Sequence, residues 1–147
     1  MFKWRIYSKW FKKVVELLRK TYTDVILTTD IIVGFPGETE EEFNQTYNFL
    51  EKIKFYKMHI FKYSRRKGTK ADLMENQISS NIQNERSKKL ISLSNRNQSE
   101  YNKQYLEKGV QVLFEEREGE YIKGHTDNYL LVKVNSKEEY HNKIIKV

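Results

Sequence analysis

A glycine-rich turn is the first feature of this sequence that could bind a small molecule. It comprises Gly34, Phe35, Pro36, Gly37 and Glu38, and it separates a β-branched run from a helix pattern. Glycines allow a flat ligand to approach the backbone closely, and Phe35 offers apolar surface. The N-terminus of the following helix favours negatively charged groups. The turn is therefore a candidate ligand site, although the same glycines could serve only to reverse the chain.

A basic loop is a second candidate, and its chemistry suits nucleic acid. Tyr63, Arg65 and Arg66 lie in this loop, directly after a predicted strand. Arginines pair with phosphate groups, and a tyrosine ring can stack on a base. In α/β proteins ligands bind at the carboxyl ends of the strands, which is where this loop lies. The alternative is a solvated loop whose tyrosine belongs to the core.

The residue types that are absent exclude several kinds of site. The chain has 147 residues and no cysteine. Its own residues therefore cannot form disulfides, thiolate zinc sites or thiolate-held iron–sulfur clusters. His59, His125 and His141 are isolated in the sequence and lack metal-ligand spacing. We therefore expect no metal site in this chain.

Positive charge is concentrated in two segments. Residues 1–24 carry seven basic and two acidic side chains, and residues 61–108 carry eleven and five. Neutralisation of a phosphate backbone requires such blocks, although a solvated lysine-rich surface is an equal alternative. No run approaches the roughly 20 apolar residues that span a bilayer, and no signal-peptide pattern is visible. We expect a cytoplasmic protein without membrane contact.

The first half of the chain alternates predicted helices and strands. Ser8 could cap a first helix, and Val25–Val33 has the β-branched, nearly continuous apolar pattern of a buried strand. Thr39 and Glu42 form a predicted capping box for a second helix. Phe55–Tyr63 is the next predicted strand. This order is typical of parallel α/β structure.

The second half has a different pattern. A long polar helix is predicted from about Ser79 to Glu107, with Gly109 as a plausible stop. Beyond residue 108 come four short alternating runs, which predict a small all-β module. These runs are Val110–Phe114, Tyr121–Lys123, Tyr129–Val134 and Ile144–Val147.

Three motifs in order carry a resemblance to a known family. They are Thr29–Thr39, which reads TDIIVGFPGET, His59–Ala71, which contains YSRRKGTKA, and Gly124–Tyr129, which reads GHTDNY. Together with Arg86, Leu90 and Leu93 of the long helix, they resemble the C-terminal half of the radical S-adenosylmethionine methylthiotransferases that modify tRNA. The second motif is most similar to the branch that acts on threonylcarbamoyladenosine beside the anticodon. The resemblance extends from about Arg5 to Val147.

The resemblance implies an α/β fold truncated at both ends. Residues 1–78 would be the C-terminal part of a partial (β/α) radical S-adenosylmethionine barrel, residues 79–108 a connecting helix, and residues 109–147 an incomplete, OB-like TRAM barrel. The turn of Gly34, Phe35, Pro36, Gly37 and Glu38 would hold the adenosine part of S-adenosylmethionine. The residues that would contact RNA are Tyr63, Arg65, Arg66, Lys123 and Tyr129. Of these, Tyr129 is expected to be an inward-facing residue of the TRAM barrel in the first place and an RNA contact in the second.

The resemblance also implies cofactors that this chain cannot hold alone. Intact members use S-adenosylmethionine and two 4Fe–4S clusters, whose six cysteine ligands are missing here. The implied activity is 2-methylthiolation of N6-threonylcarbamoyladenosine in tRNA, but the isolated chain is expected to be inactive. A separately encoded, cysteine-bearing N-terminal half is a possible partner. The alternatives are a non-catalytic TRAM-type RNA-binding protein and a decayed gene fragment. A ribosomal protein as the substrate in place of tRNA is a less favoured alternative.

Overall fold

The computed structural model describes residues 4–147, with side chains described from Lys9 onward. Three helices and six strands follow one another, with short 3-10 turns at Lys70–Leu73 and Lys103–Tyr105. The helices are α1 (Trp4–Thr21), α2 (Glu40–Ile53) and α3 (Ser80–Asn102). The strands are β1 (Thr28–Val33), β2 (Lys57–Lys62), β3 (Gln111–Glu118), β4 (Tyr121–His125), β5 (Leu131–Asn135) and β6 (Lys143–Lys146). The predicted α/β fold with a small antiparallel sheet is confirmed.

The chain divides into two compact units. One contains the residues up to Thr23 together with Leu27–Ser99, and the other contains Asp24–Ile26 together with Glu100–Val147. The first unit holds α1, α2, most of α3 and the strand pair β1–β2. The second holds the remaining four strands.

Strands β1 and β2 form a parallel pair, as the alternation of helices and strands predicts. Thr28 lies opposite Lys57 and Val33 opposite Lys62, so the two strands end side by side. The N–H of Tyr63 donates to the carbonyl of Val33 at 2.8 Å and extends this pairing by one bond. The glycine-rich turn and the basic loop therefore both follow the carboxyl ends of these strands, on the same side of the sheet.

Helix α2 begins where the capping box places it. The Thr39 hydroxyl accepts from the N–H of Glu42 at 3.1 Å, and the Glu42 carboxylate accepts from the N–H of Thr39 at 3.0 Å. Phe43, Leu50 and Ile53 form its buried stripe. They pack in a core with Val15, Val33, Phe55, Met58, Leu90 and Leu93.

Three predicted boundaries were wrong. Helix α1 already begins at Trp4, so Ser8 lies inside the helix and not at its N-cap; its side chain is outside the described residues. Strand β1 begins only at Thr28, where its pairing with Lys57 begins, and Asp24–Ile26 belongs to the second unit. Helix α3 ends at Asn102, well before Gly109, and continues as a single 3-10 turn.

The second unit is a four-stranded antiparallel sheet with the strand order β5-β4-β3-β6. Val112, Phe114 and Ile122 form its buried core, since alternate side chains of each strand face one side. A β-bulge between Phe114 and Glu116 shifts the register of β3 against β4. The four strands lie close to the four predicted alternating runs.

Candidate functional site

The glycine-rich turn requires both of its glycines, for different reasons. Gly34 and Gly37 have φ angles of +73° and +83°, a region that side chains disfavour. A Cβ on Gly34 would also lie 2.4 Å from Cγ of Gln83, whereas nothing lies within 4 Å of a Cβ on Gly37. Gly34 therefore permits a close helix contact, whereas the φ angle of Gly37 favours glycine and the space beside it is open.

The turn is held in place by its own hydrogen bonds and by a neighbouring loop. The Gly34 N–H donates to Oε2 of Glu38 at 2.7 Å, and the Glu38 N–H donates to the Phe35 carbonyl at 2.9 Å. The Gly37 N–H donates to the carbonyl of Asn76 at 3.0 Å. The Glu38 carboxylate is thus part of the scaffold of the turn.

Phe35 is the side chain that the turn presents outward. Its side chain is 39% exposed, while Gly34 and Pro36 are buried. The Phe35 ring meets the ring of Tyr63 edge-on, with the centroids 5.2 Å apart. The structure therefore brings together the turn and the first residue of the basic loop, which the sequence could only place at one edge of the sheet.

Arg86 and Gln83 of helix α3 hydrogen-bond to this turn. Arg86 is only 4% exposed, and its Nη1 donates to Oε2 of Glu38 at 2.6 Å and to the Glu38 carbonyl at 3.1 Å. Its Nη2 contacts Oε2 of Glu40 at 3.2 Å. Gln83 donates to the carbonyls of Gly34 and Tyr63, both at 3.3 Å.

Arg65 and Arg66 have different surroundings in the basic loop. Arg65 Nε pairs with Oδ1 of Asp72 at 2.5 Å, and its Nη2 donates to the Asp72 carbonyl at 2.9 Å. The hydrogen bond from Arg65, and then that from the Gly68 N–H, hold the pKa of the Asp72 carboxyl below its ordinary value. Arg66 is exposed, and its guanidinium has no partner among the described residues. Arg65 therefore shapes the loop, and Arg66 is available to a ligand.

Tyr63 is partly buried, and its hydroxyl group is enclosed. That hydroxyl has no hydrogen-bond partner within residues 4–147. The ring is thus fixed against Phe35 and is less open to a stacking base than the sequence predicts. The phenol oxygen is an unused donor and acceptor beside the turn.

Lys123 and Tyr129 lie in the four-stranded unit. Lys123 pairs with Glu116 at 2.6 Å and Glu118 at 3.5 Å. The hydrogen bond to Glu116 is the main cause that raises the pKa of Lys123. Its charge is therefore already compensated by carboxylates of β3.

Tyr129 points outward, which corrects the expectation that it faces inward. Its side chain is 79% exposed, and its φ angle is +65°. The preceding motif residue Thr126 holds this turn, since its hydroxyl accepts from the Leu130 N–H at 2.9 Å and its carbonyl from the Tyr129 N–H at 2.9 Å. The turn thus keeps an aromatic ring in solvent.

In the part of the chain that the structure describes, no group of three histidine, aspartate or glutamate side chains could hold a metal ion. No helix within residues 4–147 is long and apolar enough to cross a membrane.

Comparison with curated proteins finds relatives across nearly the whole chain. Threonylcarbamoyladenosine tRNA methylthiotransferase MtaB of Bacillus subtilis is 42% identical over 144 residues, which is 95% of this chain and 32% of that protein. The tRNA-2-methylthio-N(6)-dimethylallyladenosine synthase of Campylobacter jejuni subsp. jejuni is 43% identical over 140 residues, 92% of this chain and 32% of that protein. The chain is homologous to the radical S-adenosylmethionine tRNA methylthiotransferases.

The methylthiotransferase homologue spans about a third of the length of these relatives. A further synthase of the same name, from Caldicellulosiruptor saccharolyticus, is 36% identical over 139 residues, 93% of this chain and 30% of that protein. No family model matches the chain. The relatives thus include enzymes named for both threonylcarbamoyladenosine and dimethylallyladenosine.

Sequence reasoning about this methylthiotransferase homologue missed four residues that shape the site. Gln83, Asn76 and Asp72 hold the turn or the loop, but nothing in their spacing marks them. Arg86 did carry a signal, because it lies four residues before Leu90 on the stripe that packs into the core. A charged residue on a buried stripe predicts a buried ion pair.

Proposed function

We propose that this chain supplies part of the S-adenosylmethionine site and an RNA-binding module of a tRNA methylthiotransferase. The proposed reaction is 2-methylthiolation of N6-threonylcarbamoyladenosine next to the anticodon in cytoplasmic tRNA. The observation that carries the proposal is the 42% identity, over 95% of this chain, to the Bacillus subtilis threonylcarbamoyladenosine tRNA methylthiotransferase. The geometry of the turn and of the basic loop supports it.

The turn fits the adenosine part of S-adenosylmethionine. The exposed face of Phe35 can pack against an adenine ring, and Gly37 lets the ligand approach the backbone. The Phe35 N–H has no partner among the described residues and can donate to a ring nitrogen. Pro36 is buried, and the hydrogen bond from the Gly34 N–H to the Glu38 carboxylate holds the turn together. When bound in a complete enzyme, S-adenosylmethionine would supply the radical that starts the reaction.

The residues of this chain do not fit an iron–sulfur cluster. It has no cysteine, and its three histidines lie far apart in the sequence. We therefore assign no step of radical formation to this chain. In the proposal, a cysteine-bearing polypeptide supplies the two 4Fe–4S clusters.

The proposed RNA contacts are unequal in strength. Arg66 has an uncompensated charge in an exposed loop, so it can pair with phosphate without breaking another ion pair. Tyr129 offers an exposed ring for stacking. Lys123 would have to leave Glu116, and Arg65 would have to leave Asp72. We therefore expect Arg66 and Tyr129 to contribute most.

Nuclear magnetic resonance titration of the chain with S-adenosylmethionine tests the first part of the proposal. We expect amide shifts at Phe35 and Gly37, and their loss in Phe35→Ala. The matched control is Phe61→Ala, since Phe61 is also a half-exposed phenylalanine, at 53%. Shifts that are absent at the turn, or that survive Phe35→Ala unchanged, would contradict the assignment.

Fluorescence anisotropy with an anticodon stem-loop tests the second part. Arg66→Gln should weaken binding several-fold and reduce the slope of log K against log salt by about 1. The control Arg96→Gln removes the same charge from an exposed arginine that pairs with Glu51. Salt-dependent RNA binding without any S-adenosylmethionine binding would favour the second candidate, a non-catalytic RNA-binding protein.

A further inference from the structure

We propose that Arg86 is a positioning residue, which holds the turn 34–38 in its ligand-binding conformation through the carboxylate of Glu38. The part of this inference that concerns ligand affinity rests on the proposed function; the part that concerns the turn does not.

A single carboxylate links the helix to both ends of the turn. Oε2 of Glu38 accepts from Arg86 at 2.6 Å and from the Gly34 N–H at 2.7 Å. Arg86 also donates to the Glu38 carbonyl at 3.1 Å. The guanidinium therefore holds the last residue of the turn directly and the first residue through the carboxylate.

Gln83 adds a second connection one helical turn earlier. Its amide group donates to the carbonyls of Gly34 and Tyr63, so it ties the start of the turn to the end of β2. Its Cγ occupies the space that a side chain at position 34 would need. Gln83 and Arg86 lie three residues apart and face the same side of α3. The helix thus contacts the turn at two separate points.

Stability alone does not account for a buried arginine at this position. The Nε of Arg86 is buried and has no hydrogen-bond partner among residues 4–147, which is a cost. Replacing a buried ion pair by apolar residues is often neutral or stabilising, so such pairs are weak evidence for stability. What an apolar residue could not do is orient the Glu38 carboxylate toward the Gly34 amide. The guanidinium, packed 5.3 Å from the centre of the Phe43 ring, is itself held in one orientation.

Loss of Arg86 would therefore act on the turn through Glu38. The carboxylate would lose its buried partner and turn toward solvent, which releases the Gly34 N–H. Phe35, whose ring we propose to contact adenine, is the next residue along the chain. Its orientation would be less restricted, and the ligand would have to order it on binding.

Hydrogen exchange of two amides separates a positioning role from a general loss of structure. The Gly34 amide reports on the turn, because its acceptor is Glu38. The Met58 amide reports on the docking of α3, because it donates to Oγ of Ser94 on that helix at 3.0 Å. In Arg86→Met we expect the Gly34 protection factor to fall at least about tenfold while that of Met58 is kept. Arg96→Met, which breaks an exposed pair on the same helix, should change neither.

Two further variants keep the test decisive. Glu38→Ala leaves Arg86 in place but removes the oxygen that accepts from the Gly34 N–H, so it should also lower Gly34 protection; it replaces Arg86→Met as the test if that variant loses Met58 protection. Arg86→Lys keeps the charge but not the forked geometry, and it should restore part of the protection. Unchanged Gly34 protection in Arg86→Met with Met58 protected, or in Glu38→Ala, would overturn the inference.

Titration with S-adenosylmethionine then separates this inference from the proposed function. If the unsubstituted chain binds, Arg86→Met should bind at least about tenfold more weakly, and equal affinity would overturn the effect on the ligand. If the unsubstituted chain does not bind, the proposed ligand fails, and a loss of Gly34 protection in Arg86→Met still supports the positioning of the turn.

Discussion

Gly124, the first residue of the GHTDNY motif, lies in β4 opposite Phe114 of β3. A Cβ at this position would lie 2.0 Å from the carbonyl oxygen of Leu113. The backbone of Gly124 is not in the positive-φ region, so space and not conformation requires the glycine here. A motif that resembles a functional signature therefore contains at least one residue whose role is packing.

We expect Gly124→Ala to destabilise the four-stranded sheet by about 1–3 kcal/mol, because the strands would have to move apart. Amide exchange within β3 and β4 measures the change in local unfolding free energy. The control is Gly109→Ala, whose nearest neighbour is the flexible end of Lys146 at 3.0 Å. Equal effects of the two substitutions would contradict this account.

Helix α3 packs into the core of the first unit, although its sequence is mostly polar. Leu90 and Leu93 are almost completely buried. Two polar side chains on the same side also bond to β2 and to Phe55, which lies two residues before it. Ser94 accepts from the Met58 N–H at 3.0 Å, and Asn97 donates to the Phe55 carbonyl at 3.2 Å. These bonds satisfy backbone groups that a strand beside a helix would otherwise leave unpaired.

Two neighbouring residues of α3 should respond very differently to the same change. Leu90 is 0% exposed, so Leu90→Ala should cost about 2–5 kcal/mol in the first unit. Ile91 is 44% exposed, and Ile91→Ala should cost less than about 0.5 kcal/mol. Hydrogen exchange of the β1 and β2 amides, measured over a range of denaturant concentrations, gives the free-energy cost of each substitution. Similar losses for both variants would mean that α3 does not dock as described.

The parallel sheet of the first unit leaves large apolar side chains exposed to solvent. Within the described residues, β1 and β2 pair only with each other. Ile32 and Phe61 lie opposite each other in this pair and are 59% and 53% exposed. A cavity of about 330 Å³ follows β1 and is lined partly by Phe11 and Phe49. Open edges and exposed apolar side chains favour association with another strand or chain.

We therefore expect the isolated chain to self-associate or to be poorly soluble. Sedimentation velocity over a range of concentrations measures this. Ile32→Lys should reduce association, because a lysine next to an open edge opposes strand pairing. Ile91→Lys makes the same change on α3 and should have little effect. A single monomeric species with a cooperative melt for the unsubstituted chain would refute the expectation.

Much of the fold followed from local sequence patterns. The capping box of Thr39 and Glu42, the existence of β2 and the four short β runs all depend on residues close together in the chain. The strand predicted over Val25–Val33 begins only at Thr28, and Val25 and Ile26 belong to the second unit. Residue propensity is local and does not determine where such a strand begins. The relationship to the methylthiotransferases was likewise determined by the sequence alone.

Contacts between distant segments determine which residues of the candidate site have no partner. Arg65 and Arg66 are adjacent, chemically identical and both exposed, yet Asp72 pairs with the first, and the guanidinium of the second has no partner among the described residues. Tyr129 faces solvent, and Arg86 reaches Glu38 across 48 positions of the chain. Sequence patterns report on neighbours along a helix or a strand, so they indicate the helices and strands. Contacts between distant segments depend on how those elements pack, and that packing determines what each motif residue can bind.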